Sequence, residues 1–112
     1  MTQPVELTLK GRMRRLKFTI PEVKALEARL GKTAGAIFSD LTQLGITTLQ
    51  QVLWAALRHE DPRLRYEDVE GLIQDHLDTG GSTMDFLYAI NEAVVASGLF
   101  GRGAKPETTT PS

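Results

Sequence analysis

Between Thr47 and Leu57 the apolar residues Leu49, Val52, Leu53, Ala56 and Leu57 fall at the i, i+3, i+4, i+7, i+8 spacing of one helix face. A chain carrying such a stripe must bury it, and the flanking sequence supplies short helical segments to bury it against. The spacing predicts a helix over 21–30 with Val23, Leu26 and Leu30 inward and Ala25 nearby, and one over 34–44 with Ile37, Phe38, Leu41 and Leu44 inward. Val69, Leu72, Ile73 and Leu77 mark a helix over 66–77, and Phe86, Leu87, Ile90, Val94 and Val95 mark one from 82 to about 97. Gly31, Gly45, Gly80-Gly81 and Gly98 stand where helices stop, and Asp61-Pro62 ends the central one. Start signals are Thr19 with Glu22 and Pro21, Thr47 with Gln50, and Ser82 with Asp85, each with capping-box spacing. Glu67 and Asp68 suit the positive end of the fourth helix, although Arg65 occupies its capping position.

Ahead of these helices the period changes from 3.6 to 2. Val5, Leu7 and Leu9 alternate with Glu6, Thr8 and Lys10, and after Gly11-Arg12, the expected turn, Leu16, Phe18 and Ile20 oppose Met13, Arg15, Lys17 and Thr19. The predicted fold is α+β and predominantly α: a β-hairpin over 5–20, then about five short helices over 21–98 in a compact bundle, one domain over 1–100. Two strands are marginal alone, so the hairpin must lean on the helices or on another subunit. Residues 101–112, polar with two prolines, read as a disordered tail.

The chain offers little for chemistry. Without cysteine it has no disulfide, thiolate metal site or thiol nucleophile, which fits a reducing compartment. Thirteen basic and 14 acidic residues nearly cancel, leaving no electrostatic reason to expect nucleic acid or an anionic membrane. The residues from Met1 to Glu6 lack the pattern of a signal peptide, and the longest uncharged apolar run, 50–57, is too short to span a bilayer. His59 and His76, each beside acids near a helix end, read as solvated surface residues rather than metal ligands. Gly31-Lys32-Thr33 lacks the earlier glycine and the strand of a phosphate loop, and no serine sits in a nucleophile elbow. The adjacent pairs Glu60/Asp61 and Glu67/Asp68 point about 100° apart on a helix, unlike a catalytic dyad. The expectation is a binding protein with no enzymatic activity, cofactor or metal.

Two local features point toward partners. Arg12, Arg14, Arg15 and Lys17 form the one basic excess, read as edge-strand protection or as a patch for an acidic partner. Trp54 lies off a complete core stripe, and Phe86-Leu87-Tyr88 gives the last helix more apolar surface than one face needs, with Leu99 and Phe100 following. Core packing accounts for each singly; together Trp54, Leu57, Phe86, Tyr88, Leu99 and Phe100 are the candidate partner-binding residues.

Five stretches carry a resemblance: Leu16-Lys17-Phe18-Thr19 with Leu26-Glu27-Ala28-Arg29-Leu30-Gly31, then Leu53-Trp54-Ala55-Ala56-Leu57 with its exit His59-Glu60-Asp61-Pro62, Tyr66-Glu67-Asp68-Val69 with Leu72-Ile73, and Ala89-Ile90-Asn91-Glu92-Ala93-Val94. Over roughly residues 5 to 100 this series resembles the tail assembly chaperones of long-tailed bacteriophages, the type found in gene transfer agents and related prophages. Arg65 departs from the Ser or Thr expected before the fourth helix. The resemblance implies a non-catalytic protein of the bacterial cytoplasm, absent from the mature particle. It would coat the tape measure protein, recruit tail tube subunits and leave before assembly ends. Many members also have a longer frameshifted form, which would attach at the tail. Other readings are a structural tail component (tube or completion protein) and, through Gly45-Ile46-Thr47 as a turn between helices, a helix-turn-helix DNA-binding regulator. Self-association through open hairpin edges is a further expectation.

Overall fold

Lys10 and Gly11 turn the chain back on itself in the computed structural model, which describes residues 5–39 and 41–100. Their φ angles of 53° and 72° are both positive, as in the type I′ turn whose twist matches that of paired strands. The turn therefore lies one residue before the predicted Gly11-Arg12, because Lys10 takes the left-handed conformation itself. Strand β1 (Val5–Leu9) pairs antiparallel with β2 (Arg12–Leu16), with Val5 opposite Leu16 and Leu9 opposite Arg12. Leu9, Leu16 and Phe18 are buried as the alternation predicted. Ile20 is instead 56% exposed, because it begins α1 and no longer follows a strand period.

Helix α1 (Ile20–Leu30) buries Val23 and Leu26, leaves Leu30 half-buried, and ends on Gly31 at φ 66°. The capping box predicted at its start does not form. Thr19 makes no side-chain cap, and the Glu22 carboxylate instead accepts from Arg58 Nε at 3.1 Å, tying α1 to the end of α3. The helix predicted over 34–44 is two short pieces, α2 (Ala34–Phe38) and a 3-10 turn (Leu41–Gln43). Thr33 caps α2 through Ala36 N–H at 3.1 Å, and the Ser39 hydroxyl bonds back to the Ala36 carbonyl, a local competitor of helix continuation.

Helix α3 (Ile46–Leu57) starts on Gly45 without a side-chain cap, so the Thr47–Gln50 box is absent. Gln50 is turned inward and donates from Nε2 to the Tyr66 carbonyl at 2.9 Å. The stripe Leu49, Val52, Leu53, Ala56, Leu57 is buried throughout, as is Ala55 beside it. Helix α4 (Tyr66–Asp78) buries Val69, Leu72 and Ile73, with Leu77 half-buried. Arg65 serves its start: the Asp68 carboxylate accepts the Arg65 backbone N–H at 2.9 Å and its guanidinium at 3.3 Å. Helix α5 (Thr83–Ser97) carries the predicted Ser82/Asp85 box and stops on Gly98 at φ 74°. Phe86, Leu87, Ile90 and Val94 are buried, but Val95 is 42% exposed on the opposite side of the helix.

The core is centred on α3, which packs against α1, α4, α5 and β2, while the hairpin lies across α3, α4 and α5. The fold is thus α+β and mostly helical, a hairpin followed by five helices. Among the described residues no helix is long and apolar enough to cross a membrane. The tail predicted over 101–112 lies outside the described residues.

Candidate functional site

The six predicted contact residues separate into three groups. Leu57 and Phe86 belong to the core, at 2% and 0% exposure, so their side chains have no surface to offer a partner. Phe86 presents itself edge-on to the His76 ring at 4.8 Å.

Trp54 is half-buried and already occupied. Its indole N–H donates to the Leu64 carbonyl at 2.8 Å, and its ring meets Tyr66 edge-on at 5.7 Å. The guanidinium groups of Arg29 and Arg58 lie 4.7 and 5.2 Å from the ring centroid. A ring so enclosed ties the α3–α4 connection down and shows a partner little of its face.

Tyr88 and Phe100 lie elsewhere, linked through Phe38. Tyr88, 64% exposed, lines a groove between α5 and the α2/3-10 segment together with Phe38, Leu41, Met84 and Leu87. Ser39, Thr42 and Asn91 give it a polar margin. The Phe38 ring stands edge-on to Phe18 at 5.1 Å below and to Phe100 at 6.2 Å beside it. Leu99 is half-buried against the core. At about 280 Å³ the groove lies below the range of clefts that enclose a cofactor or metabolite. It can accept apolar side chains projecting from another surface.

Phe38, Leu41 and Met84 were missed by sequence reasoning. One signal was available: Met84, Tyr88, Asn91 and Val95 are spaced 4, 3 and 4 residues, a second stripe on α5 beside its buried one. Phe38 and Leu41 carried no such signal, since they read as core positions of one helix.

Several of the charged residues pair with one another. Arg14 faces Asp61 at 3.8 Å, and Arg15 reaches Glu60 at 2.7 Å and Glu6 at 3.8 Å. The hydrogen bond from Arg15 holds the Glu60 carboxyl below its usual range. The basic run thus spends two of its arginines on the hairpin and the loop after α3, against its reading as a patch for an acidic partner. His76, expected to be solvated, is mostly covered and sits 2.8 Å from the Asp85 carboxylate. Asp85 is held low first by the Ser82 N–H and then by His76. His59 lies 3.2 Å from the Arg15 carbonyl. Among the described residues no cluster of three or more His, Cys, Asp or Glu could hold a metal ion.

Comparison of the chain with protein-family models, with curated proteins and with solved structures finds no match.

Proposed function

We propose that the chain is a tail assembly chaperone of a phage or phage-like particle, which binds the tape measure protein, keeps it soluble and helps recruit tail tube subunits. The observation that carries this reading is the exposed apolar groove around Tyr88, in a chain whose residue series resembles that family. A tape measure protein is long, helical and apolar, and an amphipathic helix engages a partner by laying its apolar face into such a groove. The groove is small and partly polar, so each contact is weak. Weak contacts repeated along a long protein hold it in solution while several copies are bound, and let them go when tube subunits compete.

The competing readings have less physical support. A tube subunit needs extensive β-structure for a closed ring, and the described residues contain two strands of five residues each. A helix-turn-helix regulator needs an exposed reading helix, whereas α3 is buried on most of its circumference.

The test is a titration of the chain with helical segments of its tape measure protein, followed by amide chemical shifts. Perturbations confined to α5, α2 and the 3-10 turn, and lost in Tyr88→Ala, support the reading. Perturbations elsewhere, or none, remove it.

A further inference from the structure

The two edges of the hairpin differ. With Leu9 and Arg12 closing a two-residue turn, the backbone groups of Val5, Leu7 and Leu9 point into the ladder, and those of Glu6 and Thr8 point out. On β2 the outward positions are Met13 and Arg15, continued by Lys17. That outer edge is closed at one end: Lys17 N–H donates to the Ala56 carbonyl at 3.0 Å, and the Arg15 carbonyl meets His59 Nε2 at 3.2 Å. The charges that discourage strand pairing also sit on β2, as Arg12, Arg14 and Arg15.

The β1 edge has neither protection. The outward N–H and C=O groups of Glu6 and Thr8 make no backbone hydrogen bond among the described residues, and both residues are exposed. Beside them Val5 and Leu7 are only half-buried, leaving an apolar margin along the same strand. The one charge, Glu6, is drawn across the hairpin toward Arg15.

We infer that β1 is a self-recognition edge, on which a second copy of this chain adds its own β1 antiparallel to form a four-stranded sheet across a two-fold axis. Outward groups must meet outward groups, which leaves three registers. Setting Glu6 against the partner's Glu6 opposes like charges, and setting Thr8 against the partner's Thr8 brings each Glu6 level with Lys10 in the partner's turn, past the end of its strand. Placing Leu7 on the axis pairs Glu6 with the partner's Thr8 and Thr8 with the partner's Glu6. That register forms four backbone hydrogen bonds, sets hydroxyls opposite carboxylates, and closes the half-buried Leu7 against its copy. A second copy is the occupant because β1 is self-complementary in this register. The proposal is independent of the tape measure reading, since it uses no residue of the Tyr88 groove.

Sedimentation equilibrium of the full chain, with concentration-dependent exchange of its backbone amides, tests it. The wild type is expected to dimerise weakly and reversibly, with the Glu6 and Thr8 amides slowing as concentration rises while those of Leu7 and Leu9 are slow throughout. Thr8→Glu places two like-charged pairs across the axis and should weaken dimerisation by roughly tenfold. Thr8→Lys, which meets the partner's Glu6, should preserve or tighten it. Thr8→Pro removes an outward N–H together with the hydroxyl and should abolish it. Both charged substitutions fall at an exposed position and leave the fold intact, so the comparison survives if the proline variant unfolds. A wild type that stays monomeric up to about 1 mM, at the weak end of specific association, overturns the proposal. So does a dimer indifferent to Thr8→Glu, or exchange protection of Glu6 and Thr8 that appears only when another protein is added.

Discussion

Trp54 illustrates how a residue singled out by pattern acquires its role from a partner that pattern does not reveal. Its position off the α3 stripe is legible in the sequence; the Leu64 carbonyl that receives its N–H is not, because periodicity says nothing about the path of the 58–65 connection. Trp54→Ala removes a large half-buried ring and leaves that carbonyl without its donor. It should lower unfolding free energy by about 3 kcal/mol in urea titrations. Trp54→Phe keeps most of the packing and should cost about 1–2 kcal/mol, the share of the hydrogen bond. A Trp54→Ala variant of unchanged stability would return this residue to the surface as a partner anchor. Tyr88 behaves in the opposite way. At 64% exposure its change to Ala should move stability by no more than about 0.5 kcal/mol, while weakening binding of an amphipathic helix severalfold in the same titration.

The elements were legible where their signal was periodic, and less so where it was a cap or a turn. Four of the five helices announced themselves by apolar spacing, whereas the spacing over 34–44 joined the short α2 and the 3-10 turn into one helix; the Ser82/Asp85 box formed as read, yet the boxes at Thr19 and Thr47 did not. Glu22 and Gln50 were drawn to long-range partners, Arg58 and the Tyr66 carbonyl, which no local spacing encodes. The hairpin turn was displaced because Lys10 accepts a positive φ that costs an ordinary side chain about 1–2 kcal/mol. Lys10→Asn should therefore raise stability by about 0.5–1 kcal/mol, seen as a higher urea midpoint at unchanged slope. The caps of α4 and α5 also predict an acid limb. The Asp68 and Asp85 carboxyls are held below their usual range, each first by a backbone N–H, of Arg65 and Ser82 respectively. A carboxyl depressed in the folded state contributes its full stabilisation above the ordinary Asp value of about 3.9, and loses it as pH falls through the folded value. Stability should therefore be flat from pH 7 to about 5 as far as these groups act, and decline below about 4. Asp85→Asn should lower the midpoint at pH 7 and flatten that decline; an unchanged acid limb would show that the cap makes no difference in solution. Gly81 packs on the same cluster, where an added Cβ would clash with the His76 ring, so Gly81→Ala should separate His76 from Asp85.

At the scale of the molecule the core and the surface divide cleanly along α5. Phe86, Ile90 and Val94 are buried in the core and Leu87 lies at its boundary with the groove, while Met84 and Tyr88 stay partly in solvent beside Phe38 and Leu41 and Val95 is exposed. The sequence made the first stripe plain and hid the second behind it, since an apolar residue off the core face reads equally as packing margin. Under the proposed function, the second stripe is where helices of a larger apolar partner would dock. Co-expression of this chain with its tape measure protein measures that most directly, as the fraction of the large protein that stays in solution and co-purifies. A tape measure protein recovered in solution with several copies of the chain, and lost to the pellet with Tyr88→Ala, is the expected result. A tape measure protein that precipitates equally with and without the wild-type chain would contradict the chaperone function.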